Sequence, residues 1–374
     1  MRAPFTPPPY PYERLGSLAD IARGHEGGMV DCSIGTPSDP PALAVVEALS
    51  SSGLERGYPT SAGSSELRAA AARWIARRFG VELPEDAVAA SIGSKELVAS
   101  VAQHLSLRDP TRSVVLYPSI SYPSYAMGAT LAGLEAVPVP MEAGRLRLDT
   151  IDASLADRAL LLWSNSPSNP CGMLDDLAAA ASWGRERGIP VLSDECYCEF
   201  TWSDRPRSIL ESGLDGVIAV HSLSKRSNLA GLRIGFYAGD PSLVGYLRSL
   251  RQHAGLMVPG PVQVAGAIAL DDDAQVEVQR ERYARRLAML ASALSEAGYP
   301  TDLPDGAFYL WVAVPRRLAD GWALARELAE RAGLLVSPGD LYGPDGADHV
   351  RIAVVQPSAR LALVARRLAA TPLP

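Results

Sequence analysis

Four short apolar runs mark the middle of the chain, at 113–117, 159–164, 190–193 and 217–221. Each is nearly continuous rather than alternating. Alternation would mean a strand with one face in water. A continuous run predicts a strand of a parallel sheet covered on both faces. Helical stretches separate the four. Residues 64–79 read as another helix: Ser64 or Ser65 can cap it, Leu67, Ala71, Trp74 and Ile75 share a face, and Gly80 stops it. Polar residues follow each predicted strand end. Tyr122 follows the first, Asn169 the second, Asp194 and Tyr197 the third, Ser222 and Lys225 the fourth. Ligands of open α/β sheets bind beyond the carboxyl ends of the strands. Four strand ends are therefore expected to deliver polar groups to one crevice.

The flanks read differently. Residues 4–11 are proline-rich and predict an extended arm. Residues 30–37 predict a short strand ending in a turn. The last hundred residues predict a long arginine-rich helix at 276–297, strands at 307–314 and 349–354, and helices at 322–332 and 358–369. The expected fold is α/β, with a mainly parallel central sheet flanked by helices and a smaller α+β domain. The expected boundaries are 1–45 for the arm and part of the small domain, 46–265 for the large domain, and 266–374 for the small C-terminal domain.

Composition removes several function classes. A net charge of −7 argues against a nucleic-acid-binding body. No apolar run is long enough to cross a bilayer, and residues 1–12 lack the apolar core of a secretory signal. The expected compartment is the cytoplasm. Cys196 and Cys198 form a C-x-C pair, but no second pair stands at zinc spacing. These two, with Cys32 and Cys171, are expected to be buried small side chains, and no metal is expected. His25, His104, His221, His253 and His349 are not clustered in the sequence.

Basic residues carry a sharper signal. Of 35 lysines and arginines only Lys95 and Lys225 are lysine, so 33 are arginine. Arginine serves wherever a bare positive charge suffices, and a retained lysine points to chemistry only lysine can do. Lysine can lose its proton and attack a carbonyl; arginine cannot. A Schiff base between Lys225 and an aldehyde cofactor such as pyridoxal phosphate would need four further partners. A carboxylate must face the ring nitrogen, and Asp194 fits. Neutral donors should meet the phenolic oxygen, and Asn169 and Tyr197 fit. An aromatic face should cover the ring, which Tyr122 can supply, with Tyr125 a competitor. A helix start, hydroxyls and a cation should hold the phosphate. Gly93-Ser94-Lys95 opens a helix, and Ser222 and Arg233 flank the lysine.

Taken together, Asn169-Pro170-Cys171-Gly172, Ser193-Asp194-Glu195-Cys196-Tyr197, Ser222-x-Ser-Lys225 with Arg233 eight residues on, and Val350-Arg351-Ile352-Ala353 resemble the class I/II aminotransferases of pyridoxal phosphate fold type I. The order and spacing hold over nearly the whole chain. The resemblance implies Lys225 as the Schiff-base lysine and acid/base, Asp194 on the pyridine nitrogen, Asn169 and Tyr197 on the phenolic oxygen, and Tyr122 on the ring. It implies Ser94, Lys95, Ser222 and Arg233 around the phosphate, with Lys95 contributing mainly its backbone. Tyr58 matches a tyrosine that reaches the neighbouring subunit's phosphate, which implies a homodimer. Arg351 matches the arginine that grips the substrate α-carboxylate, with Gly35 and Asn169 near the same group. Two departures stand out. Cys171 replaces the usual Thr or Asn, and Tyr122 comes later than the common Pro-x-Tyr spacing.

The N-terminal arm, the 31–41 loop and the 337–343 segment look most like succinyldiaminopimelate aminotransferases of lysine and diaminopimelate biosynthesis. That resemblance implies N-succinyl-LL-2,6-diaminoheptanedioate as amino donor and 2-oxoglutarate as acceptor, with aspartate or LL-diaminopimelate as alternative donors. A β-lyase or decarboxylase on the same fold would keep Lys225 and Asp194 unchanged. A ligand-sensing regulator would be expected to add a DNA-binding domain, for which the chain has no room before Val30 or after Arg351.

Overall fold

The computed structural model of the chain describes residues 5–371. Pro4 of the predicted arm lies outside that range; residues 5–10 are exposed and without regular structure, and Pro11–Leu15 forms a 3-10 turn. The chain divides into two compact units. The larger holds 36–284 and 304–308, the smaller 1–35, 285–303 and 309–374. Sequence reading had put 36–45 and 266–284 with the small domain. They pack in the large unit because the helix Gly260–Asp271 lies against the helices Leu43–Ser51 and Ser65–Phe79. The second division falls inside the helix Ala274–Glu296, where no proline- or glycine-rich linker marks it.

The large unit is built on a seven-stranded sheet. Its order is Val88–Ser91, Gly235–Gly239, Val217–Ser222, Val191–Asp194, Ala159–Asn165, Val114–Pro118, Glu135–Val139. Gly235–Gly239 is antiparallel to both neighbours; the other pairings are parallel. The four predicted strands are all present, each shifted by at most one residue at either end. Side chains alternate between two cores: Val217 and Ala219 enter one, Ile218 and Val220 the other. Burial on both faces explains why the sequence shows continuous apolar runs. The helix Ser65–Phe79 starts where its cap predicts, with Ser64 Oγ accepting from the Leu67 N–H at 3.1 Å. It stops at Gly80, whose φ of 69° is the left-handed turn glycine allows.

The small unit has a three-stranded antiparallel sheet, Tyr309–Ala313, His349–Ala353 and Ser337–Pro338, with the helices Gly321–Ala332 and Ser358–Ala370. Val30–Asp31 pairs in parallel with Leu334–Leu335. Among the described residues no helix is long and apolar enough to cross a membrane.

Candidate functional site

Because six of the seven strands of the large sheet run the same way, their carboxyl ends share one edge. Asp194 closes its strand in register with Asn165 on one side and Val220 on the other. Ser222 and Ser91 flank Gly235 in the same way. The residues just past these ends are Lys95, Tyr122, Asn169, Tyr197 and Lys225. The sequence-predicted polar groups of this unit, Tyr58 excepted, thus converge on one edge.

Asp194 is buried, and its carboxylate accepts from the Tyr125 hydroxyl at 2.8 Å and from the Cys196 N–H at 3.2 Å. Burial pushes its carboxyl above the ordinary range; those two donors pull the other way and do not win. Tyr125 is itself fully buried, with its ring stacked on Trp163 at 4.9 Å. It is therefore committed to Asp194 and Trp163 and is not an exposed face for a ligand. Tyr122 is half-buried, edge-on to Tyr125 at 6.2 Å, with the Lys95 ammonium 5.9 Å from its ring centre. Asn165, unremarked in the sequence, locks the next loop. Its Nδ2 donates to the Asp194 carbonyl at 2.8 Å, and its Oδ1 accepts from the Asn169 N–H at 2.8 Å. Tyr197 is buried with its ring edge-on to Phe308 at 5.4 Å.

Lys225 is half-buried in a single helical turn, Leu223–Arg226, that Ser222 caps by accepting from the Ser224 N–H at 3.2 Å. Lys95 is exposed, one residue into the helix Ser94–Arg108. That helix is entered through Gly93 at φ 70°, and a Cβ there would collide with the Arg233 guanidinium. Arg233 is itself left-handed, at φ 54°, and donates to the Ala230 carbonyl at 2.8 Å. The helix start is anchored by Glu96, which receives two bonds from the fully buried Arg251 at 2.8 and 2.6 Å. A helix start, serine hydroxyls and a guanidinium are the kinds of donor an anion takes.

Tyr58 is apart from this edge in exposure: it is 100% exposed, beside a surface recess of about 280 Å³ lined by Gly53, Leu54, Gly57, Pro59 and Gly260. Arg351 and Gly35 belong to the small unit. Arg351 is buried, donates to the Ser33 carbonyl, and has its guanidinium carbon 4.4 Å from the Tyr309 ring centre and 4.7 Å from that of Tyr342. A Cβ on Gly35 would strike the Tyr309 hydroxyl, so only glycine lets the chain pass that close. The four cysteines are free and buried; burial pushes the Cys171 thiol up to about 12. The roles of Tyr125, Asn165, Tyr309 and Tyr342 were missed. Only Tyr125 left a trace, the three-residue spacing from Tyr122.

Comparison with known proteins agrees with this geometry. Residues 28–368 match the family described as aminotransferase class I and II. A probable aminotransferase of Mycobacterium tuberculosis is 42% identical, covering 96% of this chain and 85% of its own length. The 4-dedimethylamino-4-oxo-anhydrotetracycline transaminase of Streptomyces rimosus is 39% identical, covering 96% and 99%. The LL-diaminopimelate aminotransferase of Aquifex aeolicus is 33% identical, covering 96% of each. Among solved structures, a probable N-succinyldiaminopimelate aminotransferase of Thermus thermophilus superposes with a TM-score of 0.85 at 29% identity, covering 96% and 98%.

Proposed function

The chain belongs to the class I and II aminotransferase family and is a pyridoxal-phosphate-dependent transaminase, and from that premise we propose how its residues divide the work. The residues fit the cofactor. A buried carboxylate met by neutral donors suits a protonated ring nitrogen, and the corner at Gly93, Ser94, Ser222 and Arg233 suits a phosphate. Bound there, pyridoxal phosphate supplies the electron sink through which an amino group passes between an amino acid and an oxo acid. Lys225 attaches the cofactor and moves the proton at the substrate Cα. Asp194 keeps the ring nitrogen protonated, and Tyr125 orients Asp194. Asn169 and Tyr197 meet the phenolic oxygen, and Tyr122 covers the ring. Ser94, the Lys95 backbone, Ser222 and Arg233 hold the phosphate. The observation that carries this assignment is Asp194: a buried carboxylate at a strand end, one strand from the lysine, held by a tyrosine hydroxyl and a backbone N–H.

Arg351 holds the substrate α-carboxylate; the family resemblance gives Gly35 and Asn169 the same ligand. Aromatic neighbours strengthen Arg351 as a rigid anion receptor. Tyr58, fully exposed on the single chain, serves the phosphate of a second copy in a homodimer. The amino donor is N-succinyl-LL-2,6-diaminoheptanedioate and the acceptor 2-oxoglutarate; the resemblance to the Thermus enzyme supports this reading. A second reading is favoured by higher identity: an amino acceptor like the 4-dedimethylamino-4-oxo-anhydrotetracycline named for the Streptomyces transaminase. The test mixes the pyridoxal-form enzyme with succinylated diaminopimelate, free LL-diaminopimelate and aspartate, and follows conversion to the pyridoxamine form. The succinylated donor is expected to give the highest kcat/KM. A lead of more than about tenfold for another donor, roughly 1.4 kcal/mol, overturns the substrate and leaves the transaminase standing.

A further inference from the structure

Under the same sheet edge lies a set of charges that the reaction does not touch. Glu199 is 3% exposed and sits in the 3-10 turn Cys198–Phe200, which Tyr197 opens. Its carboxylate accepts from Trp74 Nε1 at 2.8 Å, Arg78 Nε at 2.8 Å and Arg226 Nε at 3.1 Å. Arg226 is 4% exposed. Beyond Glu199 it donates to the Ala269 and Leu270 carbonyls, to Ser227 Oγ at 3.2 Å and to Asp273 Oδ1 at 3.0 Å. Nε, Nη1 and Nη2 are all engaged, a pattern that needs a planar guanidinium and that an ammonium could not reproduce.

Stability alone gives a poor account of this pair. A buried ion pair is often no better for stability than apolar side chains of the same volume. Its placement is informative. Arg226 directly follows Lys225. Glu199 lies two residues beyond Tyr197 and five beyond Asp194. The helical turn bearing Lys225 is only four residues long, too short to hold its own shape. The Glu199 turn is three residues long. Two short turns with reactive groups on them are thus joined by one buried bond, and Arg226 ties both to the end of the helix Gly260–Asp271.

We propose that the Arg226–Glu199 pair is a positioning device that sets the spacing of Lys225 from Tyr197, a role beyond the assignments above and resting on them. Neither residue touches substrate or cofactor. Without the pair, the lysine-bearing turn keeps its sequence but not its aim, and a displacement of about 1 Å in a reacting group can cost a hundredfold in rate.

The experiment uses the holoenzyme and the variants Arg226→Lys, Glu199→Gln and the double apolar replacement Arg226→Met/Glu199→Met. Single variants can misfold by removing one charge of a buried pair; the double variant removes both, while half-buried Arg78 keeps Glu277 at 3.5 Å and Asp273 keeps Arg77 at 3.0 Å. The expected result for the double variant is a wild-type melting temperature, kcat lower by about tenfold to a hundredfold, and an unchanged KM. The pH midpoint of the bound cofactor's absorbance change should move by about 0.5 unit or more, because Lys225 and Tyr197 both set it. Arg226→Lys should fail to restore either readout. A double variant with wild-type stability, kcat and absorbance midpoint overturns the proposal, as does full rescue by Arg226→Lys. Failure of the underlying assignment reads differently: wild-type enzyme would then show no borohydride attachment of cofactor to Lys225.

Discussion

Asp194 and Glu199 are buried carboxylates five residues apart, and they are held in opposite ways. Asp194 accepts from a tyrosine hydroxyl and a backbone N–H, both neutral. Glu199 accepts from two guanidiniums and an indole. A buried carboxylate with cations around it is electrically complete and has nothing left for a ligand. One with only neutral donors keeps unmet charge, and burial lifts its pKa until something positive arrives. Proximity in the chain therefore says little about role. The charge of the partners says more, and it supports the proposed division of Asp194 to the cofactor and Glu199 to the scaffold.

The largest effect tests the premise of that contrast, that the edge holding Asp194 is the reacting edge. Lys225→Ala should lose turnover by about four orders of magnitude, since both attachment and proton transfer go with it. Lys95→Arg should retain most activity. Borohydride reduction followed by peptide mapping should find the cofactor on Lys225; a tag on Lys95 would dissolve the comparison.

The next two variants set the carboxylates against each other. Asp194→Asn should cost about 10²–10³ in kcat, roughly 3–4 kcal/mol of electrostatic stabilisation, with little change in melting temperature. Glu199→Gln should do the reverse in emphasis, destabilising by about 3–5 kcal/mol because buried Arg226 and half-buried Arg78 lose the carboxylate they share. Thermal unfolding and steady-state rates on the same samples separate the two. Equal thermal losses would break the distinction.

This contrast also marks what could be read before the fold was known. Asp194, Asn169 and Lys225 are legible as candidates because they stand just at or past strand ends that continuous apolar runs announce, and Arg233 because it stands eight residues beyond Lys225 in the motif. Glu199 and Arg226 gave no such signal. They lie 27 residues apart, with Trp74 125 residues from Glu199 and Asp273 47 residues from Arg226, and no local periodicity encodes a charge pair of that span. The antiparallel strand Gly235–Gly239 escaped for a related reason: it follows the motif around Arg233, and glycines at both ends weaken its strand pattern. Tyr125 was read as a competitor of Tyr122 because sequence gives spacing but not direction. The side chain turns inward onto Trp163.

Tyr125→Phe should be milder than Asp194→Asn and sharpens the neutral-donor half of the comparison. It removes one hydroxyl from a buried carboxylate, worth about 1.5 kcal/mol or roughly tenfold in rate. The Tyr125 bond lowers the Asp194 pKa, so its loss should raise it. The acid limb of kcat/KM should move to higher pH. A limb that stays put, or moves down, would show that Tyr125 does not bond Asp194 in solution.

The smallest effect concerns Glu195, which extends the comparison to a carboxylate that burial leaves protonated. It is fully buried; Oε1 accepts from the Ile209 N–H at 2.8 Å, and Oε2 lies 3.5 Å from Nε2 of buried His221. Burial pushes Glu195 up to about 8, against Ile209, Ser208 and Ser193, with Asp194 adding to the rise. Burial pushes His221 down to about 3, with Arg226 adding to the fall. The folded pair is then neutral, a carboxylic acid beside an imidazole. Unfolding releases a proton from Glu195 above its ordinary 4.5 and takes one up at His221 below its ordinary 6.5. Between those two values the slopes cancel. From 6.5 to about 8 only Glu195 acts: the folded state holds one more proton, so stability falls as pH rises. Over that window the loss is at most about 2 kcal/mol. Glu195→Gln cannot titrate and should lack it. Chemical denaturation of wild type and variant at pH 6.5 and 8.5 should show the wild type losing ground to the variant as pH rises. Parallel profiles would mean that Glu195 is ionised in the fold, and that burial without a cation does not by itself keep a carboxyl protonated here.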